Sequence, residues 1–580
     1  MFILPSMFEA LLPHLEFLKP YLPFIAITAL TWITYGYTLR CGFVSDDIQG
    51  IGDYNGKLQG MEYGMISRWV RYHLCGGDFP SKFKVDVPNG KPMSIPMGKV
   101  PIRHHILSVT VFNLACISTY CFLSSMIGPK VALLAVLLFI VHPLVTQGVA
   151  WISGLGYPLS LLWITLGFNL TLFYYHIESP SAMVSMVVFL AFIILQMLAI
   201  NALFIGLVSW VIFLFMGHYP FAILAGLISL MEGAKIVRST IKLRSDEFKK
   251  QSMGHSTFLK PRKIIVATKT LLYYIAFTLF PKRMGLYHKW GYHYDASVER
   301  DDKFFLLGIL VLGGLGTWFF LTPILAVKFG ILWFAAFIFI FLNWITIQQF
   351  VTERYCMVPT LGTCIILAYF LQSFLPIYAL ILGLLLMRTW VHLPTYDNEL
   401  KFYHSNVWNF DSEVAYGNLG VTYLRINKVG SALDSWQRAI EINPDYDVPY
   451  YNIYSHYRAN AMPHLHSGNY PAALELMRAA YPYLEKCVNC VICHFKNDWA
   501  KELAELRAWI ENPILMIAGE KKRLEELRET LNTRLKTATD PKDIEGIMIS
   551  LRDIQPRMVQ IEKILNENVV AGVPAQKPKA

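Results

Sequence analysis

Charge is scarce in this 580-residue sequence: Asp, Glu, Lys and Arg make up 16% of it, where ordinary soluble domains hold roughly 25%. With 54% of residues hydrophobic, that scarcity excludes a wholly soluble chain. Strict apolar–polar alternation is missing from the apolar runs, which excludes a membrane β-barrel and leaves helices, whose backbone groups satisfy one another inside hydrocarbon. A small-residue cleavage site is lacking after the first run, residues 21–38, so a retained first span is expected rather than a signal peptide. Cysteine is sparse as well, at nine residues, and Cys41, Cys75, Cys116, Cys121, Cys356 and Cys364 sit in or beside apolar runs, as packing residues do. The one Asn-x-Ser/Thr triplet, at Asn169, lies inside such a run, where no glycan can be attached.

What is present is a series of apolar runs through residues 1–395, each approaching the ~20 helical residues that cross a bilayer. Spans are expected near 21–38, 102–125, 129–147, 156–176, 182–200, 201–217, 263–280, 304–322, 328–347, 357–373 and 375–391, about eleven in all. The net charge of +10 needs no nucleic-acid partner, because much of the basic excess falls in residues 235–263 (Lys235, Arg238, Lys242, Arg244 and others), opposed there by Asp246 and Glu247 alone. Basic loops stay cytoplasmic, so counting back from it puts the N-terminus in the cytoplasm. Counting forward puts everything beyond about residue 392 on the outer side, the periplasm or the lumen of the endoplasmic reticulum. The same count gathers loop 39–101, turn 142–155, loop 281–303 and turn 347–356 on that outer face, and these segments hold nearly all the polar clusters of the bundle.

Four motifs stand there. FVSDDIQGI places Asp46 and Asp47 just past the first span; adjacent carboxylates at a membrane surface suit a general base for a hydroxyl, or a divalent cation, though a solvated loop start or a helix cap needs only the same residues. MGKVPIRHHILS offers Arg103, His104 and His105 to an anion, or to lipid headgroups by snorkelling. VHPLVTQGVAWISGLGYPLS has His142 at the end of a span, then Gln147 and Trp151, residues able to bond and stack on a sugar, in a glycine-loosened turn. TERYCMVPTLG contributes Arg354 beside Glu353. The basic and aromatic stretch PKRMGLYHKWGYHYD, 281–295, reads as an interfacial belt.

From residue 396 the composition turns polar. Tyr416, Leu419, Gly420, Tyr423, Ala432, Trp436, Ala439 and Pro444 fall at the offsets of the tetratricopeptide template over residues 412–445. Residues 446–480 read as a second, degenerate repeat; 396–494 is therefore expected to be a repeat domain, 495–567 a capping helical hairpin divided at Asp540–Pro541, and 568–580 a disordered tail. In CVNCVICHF, Cys490, Cys493 and His494 satisfy the c-type haem pattern, against which a disulfide or simple packing competes; no fourth ligand for zinc is evident.

In this order, FVSDD, HP…TQGVAWISG, ERY…VPTLG and a following repeat domain resemble the C-type, polyprenyl-phosphate-dependent glycosyltransferases, specifically the transmembrane and tetratricopeptide-repeat-containing O-mannosyltransferase-like proteins, over roughly Phe43 to Pro444. The resemblance implies an all-α, polytopic enzyme of the bacterial inner membrane or the endoplasmic reticulum. It would move a sugar from a polyprenyl-phosphate donor to a protein Ser or Thr hydroxyl in a single inverting displacement. Asp46 or Asp47 would act as base, while Arg103, His104, His105 and Arg354 would face the phosphate. The repeat groove would hold the acceptor polypeptide. A charged small-Lys-Glu turn usual in such proteins is replaced here by AINALF, residues 199–204, and the repeat array is shorter. A non-catalytic membrane scaffold, docking partners of a larger complex through its repeats, is the competing expectation.

Overall fold

The computed structural model describes residues 19–47, 65–75, 101–199, 205–242, 262–286, 303–339, 341–343, 351–490, 496–538 and 540–570. Every regular element among them is helical. The chain divides into two compact units, with the boundary at Ala415–Tyr416, later in the chain than the polar shift at residue 396.

The first unit contains α1 (Leu22–Tyr35), α2 (Met65–Cys75), α3 (Ile102–Ile127), α4 (Pro129–Val141), α5 (Thr146–Ala150), α6 (Gly156–Tyr175), α7 (Ala182–Ala199), α8 (Ile205–Met216) and α9 (Tyr219–Lys242). It continues with α10 (Arg262–Leu279), α11 (Lys303–Leu321), α12 (Leu325–Phe339), α13 (Met357–Leu371), α14 (Leu375–His392) and α15 (Glu399–Asn409). Among the described residues, six helical stretches are long and apolar enough to cross a membrane: Lys19–Arg40, Ile102–Ile127, Ile152–Tyr175, Lys303–Leu321, Glu353–Leu371 and Leu375–Tyr396. The pair Pro129–Val141 and Pro143–Ala150 reaches that length only when taken together, as a broken span or a re-entrant loop, and is bent by 64° where Pro143 interrupts the helical hydrogen bonds. The other apolar helices are shorter, among them Ala182–Gln196, Leu207–Met216 and Tyr219–Met231. The last of these begins α9, which lies outside the spans read from hydropathy because its apolar first half runs on into a basic end. Gly217, at φ 71°, and Pro220 separate it from α8.

Aromatic packing joins the long helices. Phe122 of α3 meets Phe168 of α6 at 4.9 Å between ring centres and Phe329 of α12 at 5.7 Å. Trp333 of α12 donates its indole N–H to the Val358 carbonyl of α13 at 2.9 Å. Helices α12 and α13 approach through Gly330 and Gly362; a Cβ on Gly330 would stand 2.7 Å from the Gly362 oxygen. Asn169 is turned inward and bonds to the Ser118 carbonyl of α3 at 2.8 Å. Outward faces stay apolar: Leu310 and Phe320 of α11 are 71% and 77% exposed, as a surface bathed in lipid would be.

The second unit comprises the remainder of α16 (Glu413–Arg425), then α17 (Val429–Ile442), α18 (Asp447–His466), α19 (Tyr470–Asn489), α20 (Lys496–Glu511), α21 (Pro513–Thr537) and α22 (Pro541–Val570). The part of the expected hairpin ahead of Asp540 is not one helix but two, Lys496–Glu511 and Pro513–Thr537. Pro513 has no N–H to continue α20, and the Asn512 side chain accepts the Ile514 N–H at 3.2 Å, starting α21. Glu520 of α21 is buried and binds Arg523 at 2.7 Å and Arg557 of α22 at 2.7 Å, with His466 of α18 at 3.7 Å. Glu520→Ala is expected to cost about 2–3 kcal/mol, below the usual range for breaking a buried pair because both arginines remain partly solvated. Amide exchange should accelerate across α21 and α22; unchanged protection there would show that the cluster contributes nothing.

Candidate active site

The first motif folds into a closed turn. Ser45 takes a left-handed conformation, φ 54°, and the Asp47 N–H reaches the Val44 carbonyl at 3.2 Å while the Val44 N–H reaches Asp47 Oδ2 at 3.1 Å. That turn separates the two carboxylates: Asp46 is exposed and Asp47 wholly buried. The other Asp47 oxygen, Oδ1, accepts the Ser153 N–H at 2.7 Å and its hydroxyl at 2.6 Å. Burial pushes the Asp47 carboxyl up to about 7, against the pull of these bonds and of the Arg71 charge.

The third motif is the wall against which this turn rests. Trp151 donates its indole N–H to the Val44 carbonyl at 3.2 Å. Preceding residues are pinned too: His105 Nε2 meets the Cys41 carbonyl at 3.1 Å, and Gly42 donates to the Asp397 carbonyl at 2.9 Å. A Cβ at Gly42 would fall 2.8 Å from that Asp397 oxygen, so a side chain there would push the segment off its support. The fourth motif arrives from the far end of the sequence. Gln147 accepts the Arg354 N–H at 2.8 Å, and the Arg354 guanidinium stands 5.4 Å from the Trp151 ring and 5.5 Å from Tyr355. Asp47, Gln147, Trp151 and Arg354 are thus gathered at one end of the bundle.

The remaining sequence candidates have other surroundings. His142 spends both ring nitrogens on backbone, Nε2 on the Thr278 carbonyl at 3.0 Å and Nδ1 on the Leu144 N–H at 3.3 Å, which fixes the bend after α4 rather than facing outward. His104 is buried edge-on to Phe43, with ring centres 6.0 Å apart, and Arg103 is exposed beside it at the start of α3. Cys490 is buried with its thiol 4.0 Å from the Pro444 carbonyl; Cys493 and His494 lie outside the described residues, as does the aromatic part of 281–295. Among the described residues no three His, Cys, Asp or Glu side chains cluster around a point that could hold a metal ion. Asp47 already meets three protein donors, and Asp46 is turned away from it.

Three participants carry no sequence signal of their own. Ser153 lies within a motif noted for its glycines. Glu353, adjacent to Arg354 in the sequence, accepts the Gly285 N–H and lies 3.7 Å from His392 Nε2, both side chains being buried. Arg71, on α2, is 2% exposed and donates to the His104 carbonyl at 3.3 Å and to Ser108 Oγ at 2.9 Å. A single arginine in an amphipathic helix shows no spacing that would mark it as buried. No family model, curated protein or solved structure matches this chain.

Proposed function

We propose that this protein is a membrane glycosyltransferase of the C-type, polyprenyl-phosphate-dependent class, transferring a sugar to a Ser or Thr hydroxyl of a polypeptide. The observation that carries the reading is Asp47: a buried carboxylate, oriented by Ser153 and Val44 and pushed up to about 7, is matched to taking a proton from a hydroxyl near neutral pH. Asp47 takes the acceptor proton, the acceptor oxygen bonds to the anomeric carbon, and the polyprenyl phosphate leaves with the electron pair of the broken bond. Gln147 and Trp151 stand beside it with the polarity and the flat face that a sugar needs. In this reading the shorter apolar helices complete about eleven crossings. The end bearing Asp47 faces the periplasm or lumen, and α16–α19 act as tetratricopeptide-like repeats that hold the acceptor chain.

The pH dependence tests the base. Asp47 must be ionised to accept a proton, so transfer by purified protein is expected to rise through about pH 7 and level off above it. Stability should run the other way. In the unfolded chain the group ionises near about 4, so between about 4 and about 7 the folded state binds more protons, and stability falls as pH rises through that window. Transfer that is flat across pH 5–8, or absent with every acceptor hydroxyl tried, would leave the scaffold reading in its place.

A further inference from the structure

The segment that carries Asp47 is fastened at both ends. Ser153 and Trp151 hold its far end, and its near end leans on Asp397, which lies between α14 and α15. Three points along the chain meet that one residue. The Tyr37 hydroxyl, in the turn Gly36–Arg40 after α1, donates to Asp397 Oδ2 at 3.2 Å across 360 residues. The Cys41 thiol lies 3.9 Å from Oδ1, a weak bond. Gly42 gives its N–H to the Asp397 carbonyl at 2.9 Å, the contact that leaves no room for a Cβ. Burial, and the Asp397 charge after it, push the Cys41 thiol up to about 12, so it meets the carboxylate as a neutral donor. Lys401 adds an ion pair to Oδ2 at 2.6 Å, but its side chain is 57% exposed where that of Asp397 is 18% exposed. Water therefore screens the lysine pair more than it screens the bond to Tyr37.

Between Gly42 and the turn Val44–Asp47 only Phe43 intervenes, so a shift at Gly42 reaches the turn almost undiminished. We propose that Asp397 is a positioning residue for Asp47: by holding Tyr37, Cys41 and Gly42 it keeps the turn closed on Trp151 and Ser153, and keeps water from the Asp47 carboxyl. As a tie it stands on the geometry; as a contribution to catalysis it rests on the transferase reading. Arg71 of α2 and Tyr396 are ionisable groups whose charges interact with Asp47, and His105 of α3 faces the segment at the Cys41 carbonyl. Asp397 acts through the chain instead, which a charge acting through space would not imitate.

The pH at which Asp47 ionises is measured on the full-length protein in detergent by two routes. One is the pH profile of transfer. The other needs no substrate: the unfolding temperature of each chain is compared with that of its Asp47→Asn counterpart between about pH 4 and about pH 8. Asp397→Ala and Gly42→Ala are each expected to lower the midpoint by at least about one unit, as water enters and Asp47 returns toward its ordinary value near about 4. At the plateau of the profile, kcat should fall about 10–10²-fold with KM nearly kept, the mark of a misplaced base. Asp397→Asn should stay close to the wild type, because its amide oxygen still accepts from Tyr37 and the pair with Lys401 is screened. A charge acting through space would move Asp397→Asn and Asp397→Ala alike and leave Gly42→Ala, which keeps every charge, where it was. That pattern, or a midpoint unmoved in both alanine variants, would overturn the proposal. Should an alanine variant not fold, Tyr37→Phe removes the hydroxyl alone and is expected to give a smaller shift of the same sign. A lowered midpoint in a protein whose wild type transfers to no acceptor would keep the tie and sink the transferase reading, whereas wild-type transfer with unmoved midpoints in the variants would do the reverse.

Discussion

Asp47→Asn is expected to lower sugar transfer by about 10²–10⁴-fold while leaving the chain folded. The amide keeps an oxygen for the two Ser153 donors, so the turn that rests on Trp151 keeps its main tie. Its NH₂ group would face the Val44 N–H in place of Oδ2, a loss of one bond worth about 1 kcal/mol. That loss is offset in part, since burial already disfavours the charged carboxylate. What disappears is the lone pair able to accept a proton. Asp46→Asn is expected to change transfer little, because Asp46 is exposed and outside this network. Mass spectrometry of an acceptor peptide, with both variants matched for thermal unfolding, measures the difference. Wild-type transfer by the Asp47 variant, or a larger loss from the Asp46 variant, would sink the assignment.

Trp436→Ala is expected to remove about 3–5 kcal/mol from the second unit. The ring is 1% exposed, packs over Gly420, and donates its N–H to the Gly417 carbonyl at 3.0 Å, tying α17 to α16. Ala432 and Ile453 share its cluster, so the cavity opens toward α18 as well. Trp436→Phe keeps most of the apolar area and loses the bond to Gly417, for a smaller cost of about 1 kcal/mol. Amide exchange would register the loss as faster opening of α16–α18. Protection in α3, α6 and α13 should hold, because those helices are packed by Phe122, Phe168 and Trp333. Equal loosening in both units would mean that they do not have separate cores. In the proposed function this substitution should also weaken acceptor binding without affecting a small-molecule acceptor.

Helix, membrane and polar C-terminal unit are all legible in the one-dimensional pattern, and for a local reason. Long apolar stretches such as 102–127 carry their own backbone hydrogen bonds and need no partner to be recognised. Trp436 and Gly420 announce their packing by spacing along one chain segment. Where Pro, Gly or a basic end cuts an apolar run short, as at Pro143, Gly217 and α9, hydropathy averages over the break and the helix ends appear only in three dimensions. The site divides along the same line. FVSDD, the TQGVAW turn and ERY can each be located by composition, but Asp46 and Asp47 are indistinguishable until the left-handed Ser45 turns one outward and one inward. Gln147 and Arg354 meet across 207 residues, Asp47 and Ser153 across 106, and Arg71 and Ser108 across 37. Contacts of that separation have no period in the sequence. They exist because the ends of several helices converge at one end of the bundle, and burial there turns an ordinary aspartate into a carboxylate poised near neutral pH.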